Sequence, residues 1–287
     1  MSTKRLARTT NLQTTTCLRG RTRLRSAGIA AWLLSAILIF VVPSGFRPLA
    51  AIGYTPIVIV KALLGSWPWD YFFRVWTLPT TSEVLGIGVG VVLAVFGGRI
   101  WSRTRATGMS TDGIIRLGRI ATLIAVVCPL VYATTRYAWA LGIPLGLATE
   151  FLQQIQPIVL NGLGLAIAAT LGAILTIGLV RPWGEVFPRW LPILSGHRVP
   201  IGLAVNFAIV VSALVASAGA SFLKQIATGE ISDAPAGAIH EIGAWLPETL
   251  WIPWAAALAT AALCYRIRRQ QNPQGQSLRT AGHVRST

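Results

Sequence analysis

Arg136 is the residue whose position most demands a chemical reason. It stands in the run Thr134-Thr135-Arg136-Tyr137-Ala138-Trp139, inside a long apolar stretch. A guanidinium in an apolar solvent must find a counter-ion, an anionic ligand, or a path along which its stem reaches water. Arg136 is therefore expected to snorkel to a nearby surface, to pair with Glu150, Glu241 or Glu248, or to hold the anionic group of a substrate or lipid. Asn161 and Asn206, also within apolar stretches, carry amides that need partners in the same way, and both are expected to bond across helices. These three residues are the candidate substrate or lipid contacts.

A second constellation lies between Arg181 and Pro200, RPWGEVFPRWLPILSGHRVP. Trp183, Phe187, Trp190, Leu191 and Ile193 could face a membrane interface, while Arg181, Glu185, Arg189, His197 and Arg198 face water. Read for chemistry, Arg181, Trp183, Glu185, Arg189 and Trp190 form a candidate docking loop; otherwise the segment is an interfacial linker.

Other chemistries leave no trace. The three histidines, His197, His240 and His283, and the three cysteines, Cys17, Cys128 and Cys264, are scattered, with no metal-ligand spacing and no disulfide framework. No nucleophile and base are spaced for catalysis, so no cofactor, no metal and no enzymatic activity are expected. No Asp or Glu falls at the middle of an apolar stretch, which disfavours a proton pump or antiporter.

The elements that must position these residues are membrane spans. With 53% hydrophobic and 12% charged residues, the chain lies outside the range of soluble domains. A hydrocarbon layer of roughly 30 Å takes about 20 apolar residues per helix. Six stretches meet or approach that length: 27–46, 82–101, 120–140, 157–180, 201–223 and 247–265, the last with Glu248 at the water boundary. The expected fold class is an all-α membrane protein, a six-transmembrane-helix bundle. A basic disordered tail (1–26) precedes the transmembrane domain (27–265), and a second disordered tail (266–287) follows it. The start superficially resembles a signal peptide, but the apolar run is long and Pro43 adjoins the sole tolerable cut after Ser44, so a retained span is expected.

Charge orients the bundle. Between the spans, Lys and Arg gather in every second segment, so that 20 of the 25 fall on one side. By the positive-inside rule both termini are cytoplasmic. The run 49–60 is too short to cross, and with the aromatic stretch Trp67, Trp69, Tyr71, Phe72, Phe73 and Trp76 it is expected to lie on the outer surface, partly in the interface. A net charge of +16 finds its counter-charge in anionic inner-leaflet lipids of the bilayer, because the basic residues form no compact domain for nucleic acid. Packing faces are expected where small residues recur every fourth position, at Gly164, Ala168 and Gly172 and at Ser212, Ala216 and Ala220.

The segments Thr135-Arg136-Tyr137-Ala138-Trp139-Ala140-Leu141-Gly142-Ile143-Pro144-Leu145-Gly146 and Arg181-Pro182-Trp183-Gly184-Glu185-Val186-Phe187-Pro188-Arg189-Trp190-Leu191-Pro192 resemble a group of multi-pass membrane proteins of actinobacteria. The resemblance covers roughly the middle and C-terminal half. It implies a bacterial plasma-membrane location and transfers no activity or catalytic residue. Three functions fit these observations. The favoured one is a small carrier or permease-associated protein; the others are a structural or regulatory subunit docking a membrane or cytoplasmic protein partner, and a lipid-handling membrane enzyme built around Arg136.

Overall fold

The computed structural model describes residues 26–43, 47–65, 69–102, 110–187, 195–229, 235 and 237–271. Among these the chain is helical throughout, apart from turns and one isolated antiparallel β-bridge between Val186 and Arg198. The helices are α1 (Ser26–Phe40), α2 (Arg47–Leu63), α3 (Asp70–Val75), α4 (Leu78–Ser102), α5 (Thr111–Ala140), α6 (Thr149–Ile177), α7 (Ile201–Thr228), α8 (Ile242–Thr249) and α9 (Trp251–Gln271). Four helical runs are long and apolar enough to cross a membrane: α4, α5, α7 and the near-continuous α8–α9; α6 makes a fifth if its bent halves count as one span. α1 is shorter, at 15 residues or about 22 Å of rise.

Most helices outrun the apolar stretches that announce them. α5 begins at Thr111 rather than Ile120, because Ser110 Oγ accepts a hydrogen bond from Gly113 N at 3.2 Å and Asp112 complements the first turn. α9 continues past Tyr265 to Gln271, carrying Arg268 and Arg269 in its last turn, where cations suit the helix dipole. Hydrophobicity reports the hydrocarbon-length part of a helix, whereas capping and charge set its ends.

The core is the stack of α5, α7 and α9, lined largely by alanine. Ala121 and Ala125 of α5 and Ala213, Ala216 and Ala218 of α7 are buried against Ala255, Leu258, Ala261 and Ala262 of α9. Small side chains let backbones approach, and dispersion contacts rather than water exclusion hold such helices together in lipid. A Cβ on Gly118 would lie 3.0 Å from Cys264 Cβ. Ser212 Oγ donates across the gap to the Ala255 carbonyl at 2.7 Å, so the expected Ser212/Ala216 face does meet a neighbour. The stripe expected on α6 is displaced. Ala168 is exposed and Gly172 meets nothing, while Ala166, Ala169, Ala173 and Thr176 form the buried face. Small residues mark where packing is permitted, and the rotation of the helix decides which of two small faces is used.

Around the core, α1 runs antiparallel to α4: Gly90 abuts Ile39, Gly97 abuts Trp32, and Trp32 Nε1 donates to the Ala94 carbonyl. The segment 49–60 lies within α2, which packs against α4, α6 and α7 and buries Ala51, Val58 and Ala62. Twelve apolar residues are too short to span but long enough to wedge among spans, and the aromatic segment is joined to α2 by the 2.8 Å bond from Trp76 Nε1 to Thr55 Oγ1. Trp67 lies outside the described residues. α6 bends by 68° between Thr149–Leu160 and Gly162–Ile177. Pro157 lies inside the helix and cannot donate to the carbonyl one turn back, and Gly162 and Gly164 relax the steric limits beside the break.

Candidate functional site

The site is built where α5, the bend of α6 and the α8–α9 junction meet. Arg136 lies one turn from the end of α5, and Glu248 projects from α8 beside the break at Leu250. Arg136 Nη2 donates to Glu248 Oε1, and the two side chains are only 10% and 7% exposed. This decides among the sequence expectations. The guanidinium does not snorkel, and its partner is Glu248 rather than Glu150, which is exposed, or Glu241, whose Oε2 accepts from Ala148 N at 2.7 Å. Glu248, placed by sequence at the water boundary, is buried because α8 carries the chain on as helix ahead of the apolar stretch and turns that carboxylate toward α5.

Aromatic rings enclose the cation. Arg136 Cζ lies 4.6 Å from the centroid of Tyr132 and 4.0 Å from that of Trp139, distances at which ring quadrupoles attract a guanidinium. Nη1 donates to Thr135 Oγ1 at 3.3 Å. Trp139 is fixed in turn by the bond from its Nε1 to the Leu145 carbonyl at 3.0 Å. Gly162, just past the bend, closes the site from the α6 side: a Cβ there would stand 3.2 Å from Arg136 Cδ. Above it the connecting loops touch backbone to backbone, with Gly243 N donating to the Gly146 carbonyl at 2.8 Å. Gly146 has φ +73° and a Cβ would meet Gly243 Cα at 2.8 Å, so only glycine allows this close approach of the two loops.

The opposite oxygen, Glu248 Oε2, meets no hydrogen-bond partner, and it has company. Trp251 Nε1 and Trp254 Nε1 of α9 and Ser217 Oγ of α7 are likewise buried with no partner. The Trp251 ring sits edge-on to Tyr132 at 5.9 Å, so this polar set continues from the ion pair into the α5–α7–α9 core. Each such group carries roughly 1–3 kcal/mol of desolvation with no bond to offset it.

No family model, curated protein or solved structure matches this chain.

The other candidate residues are not gathered here. Asn206 lies on the exposed face of α7 and bonds to nothing among the described residues, contrary to the expected cross-helix bond, because the α7 face that meets α9 is that of Ser212 and Ala216. Asn161 falls at the bend of α6, and its side chain lies outside the described residues. In the loop after α6, Arg189 and Trp190 lie outside the described residues, and Arg181 is exposed. Glu185, its side chain 37% exposed, is also paired: Arg268 Nη2 donates to its Oε1 at 3.0 Å, and Arg269 Nη1 lies 4.0 Å from Oε2. Tyr265 Oη donates to the Gly184 carbonyl at 2.9 Å, while Arg268 also reaches the Leu179 carbonyl at 2.9 Å. Trp183 folds back onto Gly178, where a Cβ would lie 2.7 Å from its ring. The last turns of α9 thus strap down Pro182–Phe187.

Sequence reasoning named Arg136 and three possible acids but missed the polar set below them. Trp251 and Trp254 draw no attention in the sequence, because Trp in a membrane chain usually sits at the interface. The available signal was their spacing: Glu248, Trp251 and Trp254 recur every third residue across the α8–α9 junction.

Proposed function

We propose that this chain is a small membrane carrier, or the membrane component of a permease, and that the Arg136–Glu248 pair is the point at which it engages its solute. The reading includes a bacterial plasma-membrane location, as the actinobacterial resemblance implies, and six spans formed by α1, α4, α5, α6, α7 and α8–α9. In it both termini are cytoplasmic, as the charge count favours. One observation carries it: the buried Arg136–Glu248 pair has a second carboxylate oxygen, and beside it the Trp251 Nε1, that are buried with no partner among the described residues. Polar atoms kept at that cost are explained if the helices separate in a second state and present them to water or a polar solute. The bend of α6 beside Arg136 supports this, since broken helices at a charged site recur in carriers, where one part of the bundle rocks against another.

The test uses the buried face of α6. In a background without the native cysteines, Ala166→Cys, Ala169→Cys and Ala173→Cys are probed with a membrane-impermeant maleimide in right-side-out and inverted vesicles. A carrier exposes this face in part of its cycle, so labelling occurs and differs between the two orientations. Complete protection of all three positions in both orientations would sink the proposal.

The strapped loop favours a second reading, a regulatory subunit that docks a cytoplasmic partner. Pro182–Phe187 is held by Arg268, Arg269 and Tyr265 while Arg181, Trp183 and Val186 stay exposed, a preorganised surface of mixed charge and apolar area. The lipid-handling enzyme is not adopted, because it needs two carboxylates at one outward pocket, whereas Glu241 is committed to Ala148 N and Glu248 to Arg136.

A further inference from the structure

The first turns of α5 carry a feature that neither the ion pair nor the loop uses. Arg116 and Arg119 lie three residues apart at the end of the helix where Arg181, Arg268 and Arg269 also gather. Both are exposed, and neither makes an ion pair or hydrogen bond among the described residues. With Asp112, Ile115 and Ile120 they share one open flank of α5. From that flank an exposed apolar row descends the same face: Ile120 at 51%, Leu123 at 64% and Val127 at 47% exposure, followed by Leu130. The spacing of Arg116, Ile120, Leu123, Val127 and Leu130 is that of one helix face, so the two cations sit at the head of a continuous apolar track.

We infer that Arg116, Arg119 and Asp112, with the apolar row below them, form a binding site for an anionic phospholipid with a hydroxylated headgroup, of the phosphatidylglycerol type. The phosphodiester lies between two guanidiniums, which can donate in pairs to its oxygens. A headgroup hydroxyl donates to the Asp112 carboxylate, and one acyl chain lies along Ile120, Leu123 and Val127. Other occupants fit less well. The segment before α1 has seven Lys and Arg and no acid, so it carries the wrong sign, and a second copy of the chain would set the same two arginines against themselves. The site is separate from the Arg136–Glu248 pair, so it stands whether or not the chain is a carrier.

The full-length protein in detergent micelles is titrated with phosphatidylglycerol, with phosphatidylcholine of the same chains, and with inorganic phosphate, and lipid occupancy is read by native mass spectrometry. Wild type is expected to bind phosphatidylglycerol over phosphatidylcholine, with no competition from inorganic phosphate. The double variant Arg116→Gln/Arg119→Gln is expected to bind it about 30-fold more weakly, since each direct guanidinium–phosphate pair lost at an exposed site contributes up to ~1 kcal/mol. Arg181→Gln, which removes an exposed charge at the same end, is expected to leave binding unchanged, and Arg116→Lys/Arg119→Lys to retain much of it. Equal binding by wild type and the double glutamine variant would overturn the inference in favour of a diffuse lipid annulus. Equal loss in Arg181→Gln would overturn it too, by assigning the effect to overall charge, and full competition by inorganic phosphate would replace the lipid with a free anion.

Discussion

Breaking the Arg136–Glu248 pair one partner at a time should separate a structural tie from two independent burials. Arg136→Met leaves a carboxylate, 7% exposed, whose other oxygen has no partner among the described residues. Removing one member of a buried pair typically costs 3–5 kcal/mol, so about 4 kcal/mol is expected. Glu248→Gln is milder. The guanidinium keeps Thr135 Oγ1 and two ring faces at 4.0 and 4.6 Å, and each face contributes roughly 0.5–1 kcal/mol or more when desolvated. A loss of about 2 kcal/mol is therefore expected for Glu248→Gln. The double variant Arg136→Met/Glu248→Gln should cost no more than Arg136→Met alone, because no charge is left stranded, and the coupling energy should be about 2 kcal/mol. The assay is reversible unfolding in mixed micelles by added SDS, followed by helical circular dichroism. Additive single-variant losses, or singles within about 0.5 kcal/mol of wild type, would refute the reasoning, since either outcome means that the two groups do not depend on each other.

Other expectations follow from single contacts. Gly184→Ala would place a Cβ 1.9 Å from the Gly178 carbonyl oxygen, so the turn after α6 must open; overpacking of this kind costs roughly 1–3 kcal/mol or more, seen as a lower melting temperature. Gly88→Ala meets nothing within 4 Å inside α4 and should be neutral or stabilising by about 0.5–1 kcal/mol in the same melt. Ser212→Ala removes one interhelical bond of 2.7 Å and should cost about 0.6 kcal/mol, the usual value for such bonds in lipid. Glu185→Ala frees Arg268 and Arg269 from a partly exposed pair; global stability should change by less than about 1 kcal/mol, but limited trypsin digestion in detergent micelles should become faster after Arg268 and Arg269.

What the sequence determined by itself was the solvent and the position of most long helices. Stretches of about 20 apolar residues cannot fold in water as separate helices, and that constraint is local, so it is legible without tertiary contacts. Arg136 was legible for the same reason: a charge inside an apolar run has to be accounted for wherever the run goes. The tertiary structure decided which partner accounts for it. Glu150, Glu241 and Glu248 are equivalent on the page, and only the route of the chain through α6 and α8 commits Glu241 to a backbone amide and brings Glu248 to the guanidinium. The rotation of each helix was likewise undetermined. A lipid-facing side and a partner-facing side are both apolar, so periodicity that separates core from surface in water carries little information in a membrane. For that reason the small-residue stripe of α6 pointed to one face while Ala166, Ala169 and Ala173 pack on another, and Asn206, expected between helices, stands outside them. The same cause hid the unpartnered row at Glu248, Trp251 and Trp254: its cost arises only when α5, α7 and α9 close around it.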